Sequence, residues 1–68
     1  MNMKIWINGE TKQWNQSVTI RGLLEDLDIR PETVVVERNL KIVPRERIAE
    51  EPVEDGDSIE IIRFVGGG

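Results

Sequence analysis

The sequence predicts an α+β domain in which one short helix packs across one face of a mixed sheet of four to five strands. Three observations support this fold class. Runs with the two-residue alternation of β-strands stand near both ends of the 68-residue chain. A single stretch between them has the apolar spacing of a helix. A helix with one apolar stripe needs a sheet or a second helix to cover it, and the chain offers strands.

The chain is expected to open with a β-hairpin. Residues 3–8 alternate apolar and mixed positions, with Ile5 and Ile7 predicted to face the core. Asn8-Gly9 is the dipeptide that two-residue type I′ turns favour, because both positions tolerate positive φ. Residues 11–14 would form the returning strand.

A short amphipathic helix is predicted next. Four apolar residues follow the spacing i, i+3, i+4, i+7: Ile20, Leu23, Leu24 and Leu27. Thr19 is the natural N-cap, with Ser17 as the alternative. The helix lacks the glutamate or glutamine of a capping box, since Gly22 occupies that position.

Further strands are expected in the second half. Residues 33–38 are rich in β-branched side chains, and residues 42–43 form a short strand that Pro44 ends. Residues 45–51 are expected to be irregular or a single helical turn, with Ile48 anchored in the core. Residues 58–64 form the last strand, which can pair in parallel with the first at the centre. This order, β-β-α-β-β-β, matches the ubiquitin-like β-grasp.

Asp55-Gly56-Asp57 has two interpretations. Two carboxylates could contribute to a metal site, but without further ligands the site would be weak. A tight turn with Gly56 at positive φ accounts for all three residues, and the turn is the preferred interpretation. We expect no metal site.

The sequence ends in three glycines directly after the last strand. We therefore divide the chain into a β-grasp domain, residues 1–64, and a flexible glycine tail, residues 65–68. Fully extended, the tail would reach about 13 Å from the domain and present the α-carboxylate of Gly68. Gly66 and Gly67 would give that carboxylate access to a narrow channel in another protein. The alternative is a frayed end without function.

Apolar residues are predicted at the base of this tail. In the last strand Ile59 and Ile61 should face the helix, which leaves Ile62 and Phe64 on the opposite, open face. Trp6 of the first strand should point to the same face. We predict that Trp6, Ile62, Phe64 and Val65 form a docking surface for a protein that recognises the tail. The alternative is that these are ordinary scattered surface residues.

Composition excludes several classes of function. The chain has neither cysteine nor histidine, so it offers no zinc site, disulfide, thiol nucleophile or imidazole base. A net charge of −4 argues against nucleic acid as a partner. No segment suits a signal peptide or a membrane span, so we expect a cytoplasmic protein without a membrane partner. We expect neither enzyme activity nor a bound cofactor.

With these motifs in this order, the chain resembles the ThiS family, the small sulfur carriers of thiamine thiazole biosynthesis. The resemblance covers essentially the whole chain. It rests on Asn8-Gly9, Thr19-Ile20-Arg21-Gly22-Leu23-Leu24, the valine-rich strand before Asn39, Val43-Pro44-Arg45-Glu46, Asp55-Gly56-Asp57 and Gly67-Gly68. Gly66 extends the usual pair of glycines to three.

The resemblance implies a mechanism. A ThiF-like adenylating enzyme would use ATP to adenylate the carboxylate of Gly68. Sulfur from a cysteine desulfurase relay would then displace AMP, and the resulting thiocarboxylate would deliver sulfur to a thiazole synthase. The chain would be a co-substrate of these enzymes.

Three alternatives remain open. The small subunit of molybdopterin synthase looks alike and uses the same terminal chemistry, although such chains tend to be longer. The second alternative is a β-grasp interaction module with incidental glycines. The third is a ubiquitin-like modifier conjugated to lysines.

Overall fold

A computed structural model describes residues 2–64 of the chain. These residues form seven strands, one α-helix and two 3₁₀ turns. The strands are β1 Met3–Ile7, β2 Glu10–Trp14, β3 Val18–Thr19, β4 Val34–Arg38, β5 Lys41–Ile42, β6 Pro52–Val53 and β7 Ser58–Arg63; the helix is α1 Ile20–Asp26, and the 3₁₀ turns are Pro31–Thr33 and Arg45–Arg47.

Five of the strands form one mixed sheet in the order β2-β1-β7-β4-β5. β1 and β7 pair in parallel at its centre, with Trp6 beside Ser58 and Ile7 beside Ile59. The other pairs in this sheet are antiparallel. The predicted α+β class and the parallel central pair are confirmed, and the five strands of this sheet lie within the predicted four to five.

The first hairpin turns as the sequence predicts. Asn8 has φ 51° and Gly9 has φ 85°, so both turn positions are left-handed, as a type I′ turn requires. The side chain of Asn8 also accepts a hydrogen bond from the backbone N–H of Ile61 at 2.8 Å. This bond links the turn to β7.

The helix is capped by Thr19, not by Ser17. The Thr19 Oγ1 accepts the backbone N–H of Gly22 at 3.1 Å, which satisfies one of the free donors of the first turn. A Cβ on Gly22 would lie 2.6 Å from Cγ2 of Val18. The glycine therefore lets the strand before the helix pack closely against its first turn.

The core lies between α1 and the sheet. Ile5, Ile20, Leu23, Leu24 and Ile59 are fully shielded from solvent. Ile48 is also buried, as expected, and Ile61 packs against the core from its edge. The inward orientation predicted for β1 and for the helical stripe is thus confirmed.

Short elements differ from the prediction. β3 and β6 form a separate two-stranded ladder, which no alternation could indicate because each strand has two residues. Thr33 belongs to a 3₁₀ turn and not to β4. Val43 lies just beyond β5, although its N–H donates to the carbonyl of Val36 at 2.8 Å and its side chain is buried.

Among residues 2–64, no helix has the length and apolar character needed to cross a membrane.

Candidate functional site

The described chain ends where the glycine tail begins. β7 is the central strand, and beyond its last residue the N–H of Phe64 still donates to the carbonyl of Thr33 at 3.1 Å. The chain is therefore held against β4 up to Phe64. Val65, Gly66, Gly67 and Gly68, to which the sequence assigns docking, access and modification, lie outside the described residues.

An apolar surface does lie at the base of the tail, on the face of the sheet opposite the helix. Ile62 is 47% exposed and Phe64 is 52% exposed. Val35 of β4 stands directly opposite Ile62 and is half-buried. We call Val35, Ile62 and Phe64 the tail-base patch.

Trp6 does not belong to this patch, and its predicted location was wrong. It faces the open side of the sheet, but it pairs with Ser58, the first residue of β7. Ile62 is four residues further along that strand, about 13 Å away at the usual rise of a strand. Instead of joining the tail-base patch, Trp6 packs under Lys4, whose Nζ lies 5.4 Å from the ring centroid.

Two further exposed apolar residues were missed. Ile42 of β5 stands opposite Glu37 and is 65% exposed, and Leu40 in the β4–β5 turn is 88% exposed. Leu40 has φ 71°, a conformation that costs an ordinary side chain energy. The turn composition around Asn39 indicated a reversal, but only the register shows which side chains it exposes.

The open face also carries an unfavourable charge pair. Glu37 and Glu60 stand directly opposite each other on β4 and β7, and both are half-buried. Like charges in this arrangement repel, because opposed Cβ atoms are about 5 Å apart. Both carboxylates border the tail-base patch.

The other end of β7 is fixed by a charge network around Arg38. Its guanidinium donates to Asp57 at 2.6 Å, to Glu51 at 3.0 Å and to Glu54 at 3.0 Å. Asp57 also accepts from the side chain of Asn39 and from the backbone N–H of Glu54. The network joins the end of β4 to the start of β7.

These contacts settle the role of Asp57. Burial raises the pKa of its carboxyl, but the hydrogen bonds from Arg38, Asn39 and the Glu54 backbone outweigh burial, so the pKa lies below its ordinary value. Gly56 has φ 89°, as the predicted turn requires. Asp57 thus has protein partners, and among the residues described no three acidic side chains are arranged so that they could hold a metal ion.

Comparisons with known proteins agree with this geometry. A family model described as the ThiS family matches residues 5–68. The sulfur carrier protein ThiS of Bacillus subtilis (strain 168) is 41% identical over 63 residues, covering 91% of this chain and 96% of that protein. The crystal structure of the thiamine biosynthesis protein ThiS from Geobacter metallireducens superposes with a TM-score of 0.84 at 33% identity, over 97% of this chain and 100% of that one.

A longer relative matches as well. A thiazole synthase of Paramagnetospirillum magneticum (strain ATCC 700264 / AMB-1) is 47% identical over 66 residues, which are 97% of this chain and 20% of that protein. The chain thus spans about a fifth of the length of this relative.

Proposed function

The chain belongs to the ThiS family, and on that basis we propose that it is a sulfur carrier of thiamine biosynthesis that holds sulfur as a thiocarboxylate on Gly68. The observation that carries the proposal is that the family match extends through residue 68 and so includes the glycines. The 41% identity to the Bacillus subtilis sulfur carrier, over nearly its full length, supports the same function.

The proposed chemistry proceeds in two steps. An oxygen of the Gly68 carboxylate attacks the α-phosphorus of ATP on a ThiF-like adenylating enzyme, and pyrophosphate leaves. A thiol reduces the persulfide of a cysteine desulfurase relay and releases a sulfide equivalent. This sulfide then attacks the acyl carbon, and AMP leaves with one carboxylate oxygen. The product is a thiocarboxylate, a soft anion that is nucleophilic at neutral pH for the same reason as a thiolate.

In this scheme the reactive groups belong to the partners. ATP is a substrate of the activating enzyme, and the chain itself is a co-substrate without catalytic residues. A glycine terminus suits the role, because the absence of side chains lets the acyl carbon enter a narrow site. The lack of cysteine means that no internal thiol competes for the sulfur.

We propose a thiazole synthase as the acceptor. A protein of that name contains a 66-residue segment 47% identical to this chain, which favours thiazole formation over molybdopterin synthesis. An acceptor that takes sulfur from the tail would also contact the tail-base patch, because Phe64 lies only four residues from Gly68.

Intact-mass analysis tests the proposal. The chain would be incubated with a ThiF-like adenylating enzyme, MgATP and sodium sulfide, and we expect one oxygen to be replaced by sulfur at the terminal glycine. A variant that lacks Gly67 and Gly68 serves as the matched control and should stay unmodified. If the full chain also stays unmodified under conditions that convert Bacillus subtilis ThiS, the sulfur-carrier function is wrong.

A second assay tests the acceptor. The thiocarboxylated chain would be mixed with a thiazole synthase or with the large subunit of a molybdopterin synthase, each supplied with the small-molecule substrate that receives the sulfur. Loss of sulfur from the chain would be followed by mass. We expect transfer with the thiazole synthase alone. Transfer only to the molybdopterin enzyme would contradict the proposed acceptor while leaving the carrier chemistry intact.

A further inference from the structure

The two sides of β7 are paired over different lengths. On the β4 side the ladder runs from Ile59 to Arg63 and continues to Phe64 through its bond to Thr33. On the β1 side the paired residues end at Ile59, which stands beside Ile7. The last part of β7 therefore borders a strand on one side only within residues 2–64.

Two hydrogen bonds, one at each end of β7, show which of its backbone groups point toward β4. The carbonyl of Ser58 accepts from Asn39 at 2.8 Å, and the N–H of Phe64 donates to Thr33 at 3.1 Å. Since successive residues of a strand bond to opposite neighbours, the even-numbered residues of β7 bond to β4.

The odd-numbered residues therefore face β1. The carbonyl of Ile59 accepts from the backbone N–H of Asn8 at 2.9 Å. The N–H of Ile61 donates to the side chain of Asn8 at 2.8 Å, which substitutes for the missing strand. The next three groups on this side are the carbonyl of Ile61 and the N–H and carbonyl of Arg63. They form a short open edge just beyond the first hairpin turn.

We propose that the protein that processes Gly68 adds an extended segment to this edge, so that main-chain hydrogen bonds at Ile61 and Arg63 hold the tail. This inference rests on the proposed function, since it concerns the partner of the same tail. Such strand addition uses main-chain bonds for affinity and alternate side chains for specificity.

Three features of the edge favour that occupant. The edge leads directly into the tail, because Arg63 is five residues before Gly68. Ile62 and Phe64, both about half exposed, project to one face beside it and offer the side-chain contacts that strand addition needs. Residues 61–63 include no proline and no bulge of the kind that protects edges. The edge is also too short to template a second copy of the sheet.

Hydrogen exchange provides a direct test on the unaltered chain. In the free protein we expect the amide of Arg63 to exchange quickly and the amide of Phe64, bonded to Thr33, to exchange more slowly. When the adenylating enzyme and MgATP are added, the Arg63 amide should become protected at least tenfold. An Arg63 amide that exchanges equally fast in the complex would overturn the proposal.

A pair of variants tests the bond itself. Arg63→Pro removes the outward N–H, and proline is tolerated where the N–H of an edge strand faces solvent. Arg63→Ala removes the same side chain but keeps the N–H. We expect Arg63→Pro to bind the adenylating enzyme about fivefold more weakly than Arg63→Ala, the effect of one hydrogen bond. Protection of the Phe64 amide in each variant verifies that the β4–β7 ladder is intact.

The outcomes separate the two proposals. If wild-type chain gains sulfur and both variants bind equally well, strand addition is wrong and the carrier function stands. If wild-type chain gains no sulfur, the carrier function is wrong. The partner proposed for this edge is then wrong as well. A concentration-dependent dimer that Arg63→Pro disperses would assign the edge to a second copy and overturn the proposed occupant.

Discussion

Replacing Arg38 with methionine should be among the most destabilising single changes to a partly exposed residue of this domain. The guanidinium bonds three carboxylates that differ in exposure: the side chain of Asp57 is 7% exposed, that of Glu51 is 20% and that of Glu54 is 69%. The Glu54 pair contributes little, because water already solvates and screens it. The Arg38–Asp57 pair contributes most of the stability, because its loss leaves a buried carboxylate with only the two neutral donors from Asn39 and Glu54.

The expected loss can be worked from these contacts. Removing one member of a buried ion pair costs about 3–5 kcal/mol, and the 20% exposure of the Arg38 side chain places this case at the lower limit. We expect Arg38→Met to lower the free energy of unfolding by about 3 kcal/mol at neutral pH. For a domain of this size the melting temperature should fall by roughly 15 °C.

The loss should depend on pH. The folded-state pKa of Asp57 lies below its unfolded value, so the stability it contributes is complete above the unfolded pKa, about 3.9, and is lost as pH falls through the folded pKa. The penalty of Arg38→Met should therefore shrink as the pH falls below about 4.

Urea unfolding of both chains at several pH values measures the penalty. Arg30→Met is the matched control, because Arg30 is exposed and its substitution removes the same charge. A penalty within about 0.5 kcal/mol of that control at neutral pH would refute the reasoning. So would a penalty that stays constant down to pH 3.

Three further predictions follow from local geometry. Gly22→Ala should lower stability by about 1–3 kcal/mol despite the helix propensity of alanine, because its Cβ would meet Val18 at 2.6 Å; urea unfolding should show recovery when Val18→Ala is added, and no recovery would contradict the contact. Leu40→Gly should raise stability by about 1 kcal/mol, since it relieves the positive φ, and a lower melting temperature would count against that strain. Ile62→Ser with Phe64→Ser should weaken binding to the adenylating enzyme about tenfold at unchanged stability; Leu40→Ser is the matched exposed control, and equal affinities would remove the tail-base patch from the interface.

Much of the fold could be predicted because its signals are local. Each correctly predicted feature depends on residues that are close in sequence. These features are the Asn8-Gly9 turn, the cap by Thr19 and the helical stripe. The β3–β6 ladder could not be predicted, since two-residue strands carry no periodicity and form through contacts more than 30 residues apart.

The candidate site shows the same division. Alternation correctly placed Ile62 and Phe64 on the open face, because facing is a property of one strand. The prediction that Trp6 lies near them was wrong, because the distance depends on the register between β1 and β7, which are distant in sequence. That register puts Trp6 beside Ser58. The same register leaves the open edge at Arg63. No pattern within the last strand could indicate this edge.

The position of β7 in the sheet fits the proposed strand addition. The Arg38–Asp57 hydrogen bond holds its start, and β4 pairs with it along its length. If β1 were four residues longer, β7 would be paired on both sides up to Arg63. A partner could then contact this part of the chain only through side chains. Because β1 ends at Ile7, the main-chain groups of Ile61 and Arg63 on that side have no strand partner within residues 2–64. In the proposed strand addition, a partner that pairs with this edge would order few residues of the chain, because β7 is already held by β4, and the entropic cost of binding would be low.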